Sequence, residues 1–209
     1  MAAMNRVAAV RAGVRLEVLT VGWMAAEAVL AIAAGIAARS VLLTAFGFDS
    51  VIELLSGVTL LWRLSSEARG AQKPRMETIE RRATVISAAL LVLLSAYLVL
   101  VGFGGVIAHV HPSGSALGVA VSAAAVVVMP ILAWRKFRAN AVIGSPALRA
   151  DIAETITCAY MAAATLAGAG LNFLFGLWWA EYAAAAALLV FIVMETSEAV
   201  DSARGGEEN

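Results

Sequence analysis

Six stretches of this chain are predominantly apolar over a length of about 20 residues or more, and the polar segments between them are short. At a rise of 1.5 Å per residue, a helix of about 20 residues crosses the roughly 30 Å hydrocarbon core of a bilayer. The pattern predicts six transmembrane helices, roughly over 16–38, 41–64, 83–108, 115–134, 147–171 and 177–199. Together they make one all-α transmembrane domain over 1–209 with short tails. Residues 1–15 form a basic amphipathic lead. Arg39-Ser40 is the whole first loop, so the first two spans form a tight helical hairpin. A polar segment over 65–82 follows the second span; Lys73-Pro74 interrupts it, and its second half is expected to extend the third helix. Gly102, Gly104 and Gly105 allow close helix contact near the end of the third span. Pro130 is expected to kink the fourth. Ser145-Pro146 reads as an N-cap followed by proline in the first turn of the fifth helix. Trp178-Trp179 lie where an aromatic belt would meet the sixth.

Composition strengthens this reading. The chain is 62% hydrophobic with a mean hydropathy of +0.87, whereas a soluble domain is about 45–50% apolar. Net charge is zero and gives no guide to partners, but the placement of charge does. Of the 15 Lys and Arg residues, all but Arg39 fall in the N-terminal lead, the 65–82 segment, the 135–149 segment, the C-terminal tail or the span ends beside them. Six crossings put those segments on one side, so both termini are expected in the cytoplasm, with the protein in the plasma (cell inner) membrane. The first apolar run is too long, and lacks a clear small-residue cleavage site, for a removable signal peptide. A single cysteine, Cys158, excludes an internal disulfide.

Enzymatic motifs are missing. There is no GxxxxGK[ST], no GxGxxG after a strand, no HExxH and no CxxC. The only two histidines, His109 and His111, share one predicted turn, away from any buried nucleophile. They read as a solvated turn; a metal-collecting role would need further ligands. No basic, aromatic surface for nucleic acid remains once the spans are set aside.

The chemistry concentrates in two spans. Asp49 and Glu53 lie in the middle of the second, and Glu154 and Cys158 lie in the fifth. Each pair is four residues apart, one helical turn, so its members share a face. Acids at that depth need a partner, a proton or a cation. Facing each other, the pairs offer three carboxylates and a thiol, a set that suits tetrahedral zinc; manganese and iron prefer a shell richer in oxygen. Ligands must shed protons to bind, so metal and protons compete for the site. The plainer alternative is that these acids are hydrogen-bonding glue between helices, or face a cytoplasmic vestibule. Cys158 is the weakest member, since a lone buried cysteine is often a small hydrophobe. Asp151 lies on the same face nearer the cytoplasmic end, as a ligand at the mouth of the site or a replacement for Cys158. Glu27, near the middle of the first span, reads either as an acid that supports the site or carries its protons, or as a protonated or hydrogen-bonded acid packed between helices, the plainer reading.

From about residue 15 to residue 199 the chain resembles the transmembrane domain of the cation diffusion facilitator (cation efflux) family. SVLLTAFGFDSVIELLSG looks like the family's second-helix pattern, an Asp or His followed four residues later by Asp; Asp49 and Glu53 fall on those positions. LRADIAETITC looks like the second half-site, with Glu154 and Cys158 in place of the usual pair and Asp151 matching an acid often found three residues earlier. The resemblance implies a divergent member without the family's cytoplasmic metallochaperone-like domain or histidine-rich loop, so that a homodimer would rest on the helices. It implies proton-coupled export of a divalent metal, zinc first, with manganese, iron, cobalt and cadmium as the other candidates. The alternatives are a metal-binding or regulatory membrane protein that does not transport, and a structural subunit whose acids pair with a membrane partner.

Overall fold

A computed structural model describes residues 6–68 and 73–205 of the chain. The first five residues, the polar stretch 69–72 with its Arg69, and residues 206–209 lie outside the described residues. The helices are α1 (Arg6–Ala38), α2 (Val41–Ala68), α3 (Lys73–Tyr97), α4 (Phe103–Ile107), α5 (Ala116–Ile143), α6 (Pro146–Phe175) and α7 (Trp178–Gly205). One π-helical segment, Leu98–Gly102, joins α3 to α4, and the three together make the third span. No strand occurs among the described residues, and six helices are long and apolar enough to cross a membrane.

α1, α2, α5 and α6 pack in a ring, α1 against α2 and α5, α6 against α5 and α2. The third span and α7 form an antiparallel pair against α2 and α6. The sequence explains which faces turn inward. On α2, Leu42, Leu43, Ala45, Phe46, Asp49 and Ile52 are buried at helical spacing, while Phe48, Val51 and Val58 face outward. Outward apolar side chains are what lipid requires.

The α1–α2 hairpin turns at Arg39, which adopts a left-handed φ of 52°. Ser40 then caps α2, its Oγ accepting from the Leu43 N–H at 3.1 Å. Close approach of these helices depends on small residues. A Cβ on Gly47 would meet the backbone nitrogen of Ile32 at 2.8 Å. Gly47→Ala should therefore destabilise the protein by about 1–3 kcal/mol, the usual cost of overpacking. Gly22→Ala, where nothing lies within 4 Å, should be neutral or slightly stabilising, since alanine favours helix over glycine. Thermal unfolding of the two variants in detergent checks this; equal midpoints would show the hairpin tolerates separation.

Three expectations need adjusting. The predicted fourth span stops at 134, but α5 runs through Pro130 and on to Ile143. Arg135, Lys136 and Arg138 favour helix, and the chain stops only where Gly144 takes the left-handed C-cap at φ 70°. The 135–149 connection thus shrinks to Gly144-Ser145, with Ser145 Oγ accepting from Leu148 N at 3.3 Å as the expected N-cap of α6. Lys136 is not a loop cation: it is fully buried. Of the three glycines in the third span, only Gly105 meets a neighbour, Tyr182; Gly102 and Gly104 face open space.

Candidate metal centre

Asp49 and Glu53 stand in the interior of the bundle, 1% and 3% exposed. Asp49 lies about 12 Å along α2 from Val41, at 1.5 Å per residue. Neither carboxylate accepts a well-formed hydrogen bond from any described residue. Such groups are rare in folded proteins, because desolvating a polar atom without a partner is costly. α6 packs against α2 and brings the fully buried Cys158 thiol beside the Glu53 carboxylate. Glu154, one turn earlier and partly buried, accepts a hydrogen bond from Ser56 at 2.9 Å. Asp49, Glu53, Glu154 and Cys158 therefore meet across a single helix interface.

Two further acids join them. Glu27 on α1 accepts from Ser50 Oγ at 2.8 Å and from Trp23 Nε1 at 2.5 Å, the hydrogen-bonded packing expected of it. Glu195 on α7 stands near enough to act electrostatically on both Asp49 and Glu53. Sequence reading singled out no acid in the last span, Glu195 included. In the sequence it lies two residues before the end of the apolar segment Trp178–Ser197, where a lone acid carries little signal. Five carboxyl groups from four helices thus converge. Among the described residues, no three His, Cys, Asp or Glu side chains already stand at coordinating distance from one another.

Asp151 has a different neighbour. Its Oδ2 receives the Lys136 ammonium at 2.7 Å, and Lys136 Nζ also lies 3.1 Å from Glu17 Oε2. Glu17 and Lys136 are fully buried and Asp151 nearly so, forming a layer one turn from Glu154 towards the basic end. Glu17 falls at the start of the predicted span 16–38 and Lys136 in the predicted 135–149 segment, so the sequence alone does not pair them.

The opposite end is tied by polar contacts. Ser40 Oγ donates to Glu181 Oε2, and Asn172 Nδ2 donates to Glu181 Oε1 at 2.6 Å and to the Pro112 carbonyl at 3.0 Å. These bonds hold the α1–α2 turn against the α6–α7 turn. His109 and His111 remain exposed there, and His111 stacks on Trp178 with ring centroids 4.1 Å apart.

Residues 19–204 match the model of the cation efflux transmembrane domain. The match takes in most of the chain, which belongs to the cation efflux family; its members are transporters that carry divalent metal ions. No curated protein matches the chain.

Proposed function

We propose that this member of the cation efflux family exports a divalent transition metal, zinc in the first place, from the cytoplasm in exchange for protons. The observation that carries the reading is the pair of buried acids, Asp49 and Glu53, that receive no well-formed hydrogen bond from a described residue. A dication supplies what they lack. The ligands are Asp49 and Glu53 from α2 and Glu154 and Cys158 from α6, drawn together by the ion. Asp151 serves instead in the layer beneath, held by Lys136. Each ligand releases its proton to bind, so an arriving ion displaces protons and arriving protons displace the ion. The basic end is cytoplasmic by the placement of Lys and Arg.

The test is zinc flux in proteoliposomes with pH recorded on both sides. Zinc should move one way and protons the other, more slowly as the metal-loading side is acidified. Stoichiometric binding without flux would favour a metal-binding membrane protein, and zinc flux without proton counterflow would reject exchange.

Ion preference turns on Cys158. Sulfur favours softer ions, so Cys158→Ser should weaken zinc and cadmium by about tenfold or more while leaving manganese nearly unchanged. Competition binding across the three metals measures this. A small, equal loss for all three would show that Cys158 only packs, and Asp151 would then be the next ligand to test.

A further inference from the structure

Metal transport leaves one feature of the basic end without a role. A groove of about 740 Å³ runs between α1 and α5. Arg11 and Arg15 line one wall and Arg135 and Arg138 the other, each pair about one helical turn apart. Leu16 and Leu19 continue α1's wall towards the bilayer interior. Trp134 stands at the rim, and the Arg138 guanidinium lies 4.9 Å from its ring centroid.

Among the described residues, no acid lines the groove and none of the four arginines is paired with a carboxylate. Glu17, the acid on the same stretch of α1, is fully buried and engaged by Lys136 instead. Four guanidinium groups lining one groove, with no carboxylate among the described residues beside them, repel one another, and an anion in the groove reduces that repulsion. Guanidinium groups suit phosphate because their paired N–H donors match two of its oxygens. Depth narrows the choice further. Tryptophan settles at headgroup level, and the leucine wall continues into acyl-chain territory, a geometry free phosphate would not use.

We propose that this groove binds the phosphate headgroup of an anionic phospholipid, with an acyl chain lying over Leu16 and Leu19. Basic pockets between transmembrane helices recognise anionic headgroups in this way. The lipid would clasp α1 to α5 at the level of the Glu17–Lys136 contact.

The test uses the full chain in phosphatidylcholine nanodiscs containing a minority of phosphatidylglycerol, with retained lipid counted by native mass spectrometry after extraction. The wild type should retain phosphatidylglycerol over phosphatidylcholine. Arg135→Gln/Arg138→Gln and Arg11→Gln/Arg15→Gln should each reduce that preference, roughly fivefold per arginine, and the four-site variant should abolish it. Arg39→Gln, at the opposite end, should keep it. The paired variants decide the matter if the four-site variant fails to fold. A second arm titrates inorganic phosphate against the lipid-bound protein, and millimolar phosphate should not displace the lipid. Unchanged preference in the paired variants, or an equal loss in Arg39→Gln, would overturn the site. Displacement by millimolar phosphate would overturn the lipid assignment in favour of a soluble anion.

Discussion

Asparagine at position 49 should abolish metal binding while leaving the metal-free protein at least as stable as the wild type. Both effects come from burial. Asp49 is 1% exposed, and neither of its oxygens takes a hydrogen bond from a described residue. An uncompensated ion in such a place costs several kcal/mol, so the acid must hold a proton or a cation. Asparagine keeps the shape and needs neither proton nor cation, which relieves the metal-free state. The same change leaves a bound dication short of one negative charge in a low-dielectric site. The loss of affinity should exceed about 100-fold, since residues that only orient ligands already account for about 10–100-fold. Thermal unfolding with and without zinc separates the two effects. Zinc at about 100 times its Kd should stabilise the wild type by about 2.7 kcal/mol and the variant hardly at all. A variant that unfolds early yet still responds to zinc would make Asp49 a structural acid and sink the proposed site.

Six helices were legible because lipid imposes a simple rule, in which every outward side chain is apolar and every span is long. The Arg39-Ser40 turn and the Ser145-Pro146 helix start were legible because capping chemistry is local. The acids of α2 and α6 were legible because a carboxylate inside an apolar run is an anomaly in one dimension. What stayed hidden depends on a second helix. Lys136 sits beside Arg135 and Arg138, and all three look like a cytoplasmic flank; only packing against α1 and α6 turns Lys136 inward while its neighbours remain exposed. Glu181 lies in the first turn of α7 and Glu195 near the end of its apolar segment, places where single acids normally face water. Their depth against α2 and α6 comes from how α7 leans on the ring. Asn172 gives no signal in one dimension, because its partners Glu181 and Pro112 lie 9 and 60 residues away.

Lys136→Met should be the most destabilising single change in the bundle interior. Among the described residues, Lys136 is the one fully buried cation, with Asp151 at 2.7 Å and Glu17 at 3.1 Å. Removing one partner of a buried pair costs about 3–5 kcal/mol, because the other charge is stranded. Here two carboxylates are stranded together, which places the expected loss at the upper end of that range. The layer holds two acids and one base, so the acid-side changes should behave differently. Glu17→Gln leaves a neutral Lys136–Asp151 pair with the shorter contact and should be tolerated. Asp151→Asn leaves Lys136 with Glu17 at the longer distance and should cost more than Glu17→Gln but less than Lys136→Met. The triple variant Glu17→Gln/Lys136→Met/Asp151→Asn removes every charge and should recover much of the stability lost in Lys136→Met, a strongly non-additive result. Denaturant titration of the four variants in one detergent gives the ordering directly. If Lys136→Met matches the wild type, the ion pairs do not hold α1, α5 and α6 together. If the triple variant is worse than Lys136→Met, shape rather than charge fixes this layer. Zinc binding by the triple variant then separates the layer from the ligands above it. Glu154 keeps its bond from Ser56 without help from Lys136, so a folded triple variant should still bind zinc with near wild-type affinity.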